Sequence, residues 1–512
     1  MVIMRNNNRL AKNTLMLYFR TFLMMFVSLY SVRVLIDYLG VEDYGIYNVV
    51  GGVVISLGVI NAALSGASSR FISFAIGNGE VSMLEKYYSS IKTIHWLLTL
   101  IALVLGETLG LWLVLEKLVI PENRLYAAII CYQMCLLTSL ISIISVPYNA
   151  LIMSYERMDF YAYISIFEAL LKLTIIFLLP LINFDKLVVY GVLLFIVQVI
   201  IRVCYNVYCK WKFEVSATKV SFDKLVFREI LQFAGWTFTG QLAYIGYTQG
   251  ISILLNMFFG PVVNAARGVA NQVQNGAGIL AKNLQVAIRP QIIKSWAQGN
   301  VDAVQNLVIL TTKLGYYLTA LTVFPIILCI QPILSIWLKE VPDHTVSFVN
   351  LTLVAMFVEA FSSSIIVAVH AVGNIKKFQI YESLVLFLVI PVAYIQLRFL
   401  NMSAESVLFM YIIVQILTQI VRLIIVLPLI KMRVKTYIRN IFPRILISTA
   451  FMALPLLFIE VKTVNLLYTL LYAFTMFLYV ALIVVIFGLS KSERMIFMNL
   501  ILKKLKLKRV SK

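Results

Sequence analysis

Apolar runs of twenty or more residues follow one another along almost the whole chain, separated by short polar joins. As helices, runs of that length match the hydrocarbon thickness of a bilayer. The pattern predicts fourteen spans, at about 14–37, 44–68, 90–115, 125–153, 160–182, 187–208, 231–258, 265–290, 308–337, 346–372, 378–398, 405–430, 440–460 and 464–489. Turn signals such as Leu39-Gly40, Ile120-Pro121, Gly260-Pro261 and Val341-Pro342 mark the joins. One span departs from the rest. In Ala265–Pro290, steps of three or four residues from Arg267 meet Asn271, Gln274 or Asn275, Gly278, Lys282, Gln285 and Arg289, which places them on one helical face. At about 1.5 Å per residue this stripe runs roughly 33 Å. The opposite face, Val269, Val273, Ala277, Leu280, Leu284 and Ile288, is apolar. A cation at mid-bilayer costs at least about 3 kcal/mol unless water or a partner covers it. The stripe therefore either walls a hydrated, positively charged cavity or packs against polar neighbours in a static bundle.

A repeat organises the spans. Gly40–Gly79 aligns without a gap on Gly260–Gly299, with 8 identities in 40 positions, among them Val49 with Val269, Gly58 with Gly278 and Ile72 with Ile292. The second span has its own small and polar face (Tyr47, Gly51, Gly58, Asn61, Ser65, Ser68) in the same register, and Pro121-Glu122 matches Pro342-Asp343 further on. Six spans per repeat is an even number, so both halves insert in one orientation, related by an axis along the membrane normal, and a substrate site is expected between them. The expected organisation is a bundle at 1–210, a cytoplasmic linker at 211–230, a second bundle at 231–435, an extra helix pair at 436–490 and a basic amphipathic tail at 491–512. The fold class is thus an all-α polytopic membrane protein: about 14 transmembrane helices, as two six-helix bundles related by a pseudo-twofold plus a C-terminal pair.

Composition agrees. The 512 residues are 61% hydrophobic and 13% charged, about half the charged share of soluble domains. The net charge of +20 suggests nucleic acid only until its distribution is examined. About thirty of the 43 Lys and Arg lie in one alternating set of loops and in the tail, including Arg70, Lys86, Lys92, Lys210, Lys212, Lys294, Lys376 and Lys431. The other loops hold Lys117, Arg124, Lys186, Lys339, Arg398 and Lys462. That asymmetry orients the chain with both termini cytoplasmic and excludes a nucleic-acid partner. The tail has the alternation of a surface helix on an anionic leaflet, or of a solvated basic segment. The basic N-terminus precedes an apolar run too long for a signal-peptide core, so it is expected to remain as the first span.

Bond-breaking chemistry has no foothold. There is no GxxxxGK[ST] phosphate loop, His95, His344 and His370 lie far apart, and the five cysteines (131, 135, 204, 209, 329) lack paired ligand spacing. No catalytic residue, metal site or cofactor is expected; proton or sodium coupling is the exception left open. Glu359 is the lone carboxylate deep in a span and the main coupling candidate. Asp37 is the other, although Arg33 four residues away offers a mutual pair, as Lys172 does for Glu168. Arg202 and Arg422, at matching positions of the repeat, are expected to snorkel to the inner surface. Gln241, Tyr244, Thr248, Ser252 and Asn256 form a second polar stripe, and Gly106xxxGly110 fits close helix packing.

The segments LGVEDYGIYNVVGGVV (39–54), FGPVVNAARGVANQVQ (259–274) and IRPQIIKSWAQGN (288–300) resemble the polysaccharide transporters of the multidrug/oligosaccharidyl-lipid/polysaccharide exporter superfamily. Within it they look most like the Wzx-type flippases of O-antigen and capsule biosynthesis. The resemblance covers roughly residues 10–430. It implies two six-helix bundles forming a V around a central cavity, often with a final helix pair, in a bacterial inner membrane. It also implies movement of a polyprenyl-pyrophosphate-linked oligosaccharide between leaflets, with membrane lipids and a polysaccharide polymerase as partners. The cationic cavity lining of such transporters carries over to Arg20 and Arg33 on span 1 and to Arg267 and Lys282 on span 8. Asn271 and Gln285 join them as hydrogen-bonding partners for sugar hydroxyls. Span 2 departs from the related lipid II flippases in having no Arg until Arg70. A cation-coupled drug exporter of the same superfamily is the alternative, for which an acidic, aromatic cavity is expected.

Overall fold

In the computed structural model the described residues are helical almost throughout, with no strand among them. Residues 2–495 are described except 58, 79, 156, 219, 220, 222, 374, 462–464, 491 and 492, and at 2–22 and some other helical positions the backbone alone. Of the expected surface tail, only Glu493, Arg494 and Met495 lie within the described residues. The helices in chain order are α1 (Val2–Leu57), α2 (Val59–Asn78), α3 (Val81–Leu105), α4 (Leu125–Ser154), α5 (Met158–Leu178), α6 (Lys186–Lys212), α7 (Lys224–Phe259), α8 (Pro261–Ala277) and α9 (Ile279–Ala297). Then follow α10 (Val301–Leu328), α11 (Ile330–Trp337), α12 (Thr345–Ala360), α13 (Ser363–Val372), α14 (Lys376–Phe387), α15 (Val389–Arg398), α16 (Ala404–Leu429), α17 (Val434–Phe458) and α18 (Leu466–Ile483).

Twelve helical segments among the described residues are long and apolar enough to cross a membrane. Leu23–Ser56 counts as one of them, although Gly40 divides it. The stretches missing from the twelve are α2, which completes the second span, and α8 with α9. These are the two copies of the small, polar repeat segment; α2 is apolar enough to span but its first and last side chains lie outside the described residues, whereas Asn, Gln and charged side chains lower the hydropathy of α8 and α9. Adding both gives the fourteen spans expected.

Gly40 has φ 82° and ψ 166°, and Gly260, its repeat equivalent, has φ 81° and ψ −171°. Only glycine adopts this backbone without strain, because a Cβ would collide with the peptide. The turn expected at Leu39-Gly40 is therefore a one-residue kink inside α1, and the same kink separates α7 from α8. Pro261 follows it at the first position of α8, where its missing N–H is not needed.

Packing groups the helices into two compact units. The first comprises Met1–Gln272, Leu338–Thr345 and Gln379–Met410; the second comprises Val273–Trp337, Val346–Phe378 and Tyr411–Lys512. Chain order alone would not group them so, because α7, α15 and most of α14 fall in the first unit. In the second unit, α10 is the central helix. Its buried Val304, Val308, Tyr316, Ala320 and Phe324 recur every four residues or so and meet Ile365 and Val369 of α13, Val426 of α16, Ile441 of α17 and Val480 of α18. The outer faces of α17 and α18 expose Leu446, Leu457, Phe458, Leu467 and Leu470, as lipid-facing surfaces do. In the first unit, Gly106 of the π-helical turn at Gly106–Gly110 lies against Leu136, and Tyr132 Oη donates to the Gly106 carbonyl at 2.6 Å, so the small residue serves close packing there.

Candidate functional site

The polar stripe is carried by α8 and α9, bent at Gly278. Gly278 (φ −77°, ψ −10°) departs from helical geometry by a few tens of degrees. Its N–H still donates to the Gln274 carbonyl at 3.0 Å, and its own carbonyl still accepts from Lys282 at 3.0 Å. The single helix expected there is thus interrupted at Gly278.

On α8, Arg267 is 5% exposed, Asn264 is buried, and Asn271 and Gln272 are half-buried. The cause is close packing of α8 on α1 within the first unit. A Cβ on Gly45 would lie 1.9 Å from the Pro261 carbonyl oxygen, so only a hydrogen fits there. The Asn48 carboxamide fills the space over Gly268, where a Cβ would come within 2.9 Å. Asn48 and Gly268 are separated by the repeat offset of 220, so each meets its own equivalent, as residues on a twofold axis do. Gln272 Nε2 donates to Ser28 Oγ on α1. Val269 and Val273 are buried as the apolar face predicted, and Arg267 is buried with them.

On α9 the side chains are more open. Lys282 is exposed and Gln285 half-buried. Gln285, Arg289, Thr311, Ser363 and Ser364, with aliphatic Leu284, Ile288 and Val367, line a shallow open crevice, wholly inside the second unit, with room for about one water molecule. Thr311 Oγ1 donates to Ser364 Oγ at 2.7 Å, so α10 and α13 are tied together at its floor.

The remaining candidates fall elsewhere. The Arg20 side chain lies outside the described residues, and Arg33 is exposed on α1. Asp37 does not pair with Arg33; its carboxylate takes Lys339 Nζ at 2.6 Å, because the loop at 338–345 brings an opposite charge to it. Glu168 and Lys172 do pair within their helix, at 2.6 Å. Glu359 is not the isolated carboxylate of the sequence: Tyr411 Oη donates to its Oε1 at 2.8 Å, and Gln415 Nε2 donates to the same tyrosine oxygen at 2.9 Å. Neither arginine of the matched pair snorkels. Arg202 lies over the Tyr148 ring, 4.0 Å from its centroid, and Arg422, 7% exposed, donates to Ser362 Oγ. Of the second polar stripe, Gln241 and Tyr244 are exposed, whereas Asn256 is fully buried with its Oδ1 accepting from Val119 N–H at 2.8 Å. Its amide serves the backbone. Among the described residues no three His, Cys, Asp or Glu side chains cluster as metal ligands.

Two groupings escaped the sequence reading. Tyr411, Gln415, Gln419 and Arg422 form a polar face of α16, with Ser362 Oγ donating to Gln419 Oε1 at 2.7 Å. Their spacing of four, four and three was the available signal, hidden in a hydrophobic run. In the first unit Arg124 donates to both carboxylate oxygens of Asp43, at 2.7 and 2.5 Å, and to Asp185 at 2.5 Å. Asp185 also caps α6 by accepting from Leu187 and Val188 N–H, each at 3.1 Å. Burial pushes its carboxyl up, but the Arg124 guanidinium and the cap N–H groups outweigh this and hold it below the usual carboxylate range. Charges at the sequence joins near 40, 120 and 185 hinted at this clasp; which would meet was not legible.

Solved structures identify the fold. The chain superposes on an inward-facing multidrug resistance MATE family transporter of the MOP superfamily with a TM-score of 0.68 at 13% identity, covering 81% of this chain and 96% of that one. On the lipid II flippase MurJ in an inward closed conformation the TM-score is 0.67 at 14% identity, covering 92% and 98%. A MOP superfamily transporter from Pyrococcus furiosus, described by a reverse polarity of its binding pocket, gives 0.54 at 13% identity over 82% and 96%. Neither a protein-family model nor a curated protein sequence matches the chain. The chain therefore has the fold of the MOP-superfamily transporters, a multi-pass helical membrane architecture shared by drug exporters and a lipid flippase.

Proposed function

We propose that this protein is a flippase for polyprenyl-pyrophosphate-linked oligosaccharide, working by alternating access in a bacterial cytoplasmic membrane with both termini inside. It would supply surface polysaccharide assembly such as that of O-antigen, capsule or exopolysaccharide, with a polymerase acting on its product. The observation that carries the reading is the cationic and amide stripe of α8 and α9: Arg267 and Asn271, then Lys282, Gln285 and Arg289. Passing a pyrophosphate through hydrocarbon requires fixed cations to replace its lost water, and guanidinium suits bidentate phosphate contact. Amides exchange hydrogen bonds with sugar hydroxyls, while the polyprenyl chain stays in lipid. The fold shared with the lipid II flippase MurJ supports the same substrate class. No bond is broken; affinity must stay modest in each state so that release is not stalled.

Arg267 is buried whereas Lys282 is exposed. In an alternating-access cycle Arg267 must become accessible in another state, by loosening of the Gly45–Pro261 and Asn48–Gly268 packing. Coupling to a proton or sodium gradient would run through Glu359, or through Asp37. The fold shared with MATE exporters favours a second reading, cation-coupled drug export; the basic stripe disfavours cationic drugs. Arg267→Ala should abolish polymer export in a complemented flippase-deficient strain at normal protein level, and Arg267→Lys should keep part of it. Full export by the alanine variant would overturn the role. Single cysteines at 267, 271, 278 and 282 should all react with a membrane-impermeant thiol reagent in some state of the cycle, and a static scaffold would protect them in every state.

A further inference from the structure

The first unit holds a second cationic cluster, away from α8, that the flippase reading does not use. Arg202 of α6 stacks on Tyr148 of α4, and Lys92 of α3 sits over Tyr88, one turn earlier on the same helix, 5.1 Å from the ring centroid. Lys92 Nζ also donates to the carbonyls of Ser216, at 3.4 Å, and Thr218, which joins the short helix at 214–217 to the cluster. Arg202 and Lys210, two turns apart on α6, both act electrostatically on Lys92. Lys92 is thus repelled by both, and none of the three forms an ion pair among the described residues. Glu214, close by in sequence, is exposed and bridges none of them. Buried hydrogen-bonding groups are left over at the same place. Among the described residues Arg202 Nη1, Tyr88 Oη and Ser216 Oγ have no hydrogen-bond partner, and Tyr88 and Ser216 are 0% and 2% exposed.

Each unmade buried bond costs about 1–3 kcal/mol, and like charges without a counter-charge add to it. A folded chain keeps such an arrangement where something else completes it. A phosphate has the matching chemistry: negative charge for the three cations, and acceptor oxygens for a guanidinium N–H and two hydroxyls. We propose that this cluster between α3, α4, α6 and the 214–217 turn binds an anionic phosphate group, either of a phospholipid headgroup or of a free phosphate. Water would satisfy the hydroxyls but would not neutralise the cations. The site is independent of the flippase reading, since none of its residues belongs to the α8–α9 stripe.

The test is thermal melting of the full-length protein in neutral detergent, titrated separately with phosphatidylglycerol, phosphatidylcholine and inorganic phosphate. Wild type should gain stability from phosphatidylglycerol beyond phosphatidylcholine if the occupant is lipid, and from inorganic phosphate alone if it is free anion. Arg202→Gln and Lys92→Gln should each weaken that gain by about tenfold in apparent affinity. Arg202→Lys should weaken it less, since it keeps the charge and loses the fork. Lys212→Gln, an exposed cation over Trp211 at the same end of α6, should change nothing. Equal stabilisation of wild type and Arg202→Gln, an equal loss in Lys212→Gln, or no stabilisation of a cooperatively melting wild type by either anion would overturn the proposal.

Discussion

Arg202 and Arg422 stand at equivalent places in the two repeats and do different things. Arg422 is buried in the second unit, where it donates to Ser362, which in turn donates to Gln419. Arg202 is half-buried in the first unit, stacked on Tyr148, with Nη1 unsatisfied. The matched glycines Gly40 and Gly260 behave oppositely and keep the same kink to within a few tens of degrees. A duplicated fold thus keeps its backbone geometry, because a kink is fixed by one residue's φ and ψ. The partners of a buried charge come from several helices, each free to change, so the same arginine is closed into a network in one half and left open in the other.

Four substitutions sharpen that contrast, and thermal unfolding in detergent without added lipid reads all of them. The largest effect is expected from Arg422→Ala, which removes the buried charged donor to Ser362 and should cost about 2–3 kcal/mol. A near-neutral result would show that the network is not holding α12, α13 and α16 together. Gly40→Ala and Gly260→Ala should cost similar amounts, about 1–3 kcal/mol each, since both force a Cβ into a glycine-only backbone; a large difference between them would break the structural equivalence. Acidification should remove a smaller contribution from the Asp185 arm of the Arg124 clasp, since burial holds the Asp43 carboxyl up and gives that arm the opposite sign. The Asp185 pKa is lowered by folding, so its stabilisation is complete above the unfolded value and is lost as pH falls through the folded one. Asp185→Asn should flatten that part of the pH profile, and an unchanged profile would remove Asp185 from the account. The smallest effect is expected from Arg202→Gln, about 0.5–1 kcal/mol, because among the described residues its guanidinium makes no hydrogen bond and the substitution breaks only the stack on Tyr148. A loss as large as that of Arg422→Ala would erase the difference between the two halves.

Helicity, membrane class, span number and the internal repeat were legible because they depend on local quantities: apolar run length, periodicity and glycine placement. Even the polar α8–α9 stripe was readable, since 3.6 residues per turn fixes which residues share a face. The sequence also paired Glu168 with Lys172 correctly, a contact confined to one helical turn. It failed wherever a partner came from a distant segment. Asp37 went to Lys339 rather than to its neighbour Arg33, Glu359 found Tyr411, and Asn256 was taken by the Val119 backbone. Burial of Arg267 beside exposure of Lys282 on the same stripe was equally out of reach, since it follows from α1 packing on α8 through Gly45 and Asn48. Periodicity determines which way a side chain faces around its own helix. What waits there, a carboxylate, a ring, lipid or water, is decided by helices tens or hundreds of residues away, and that only the tertiary structure supplies.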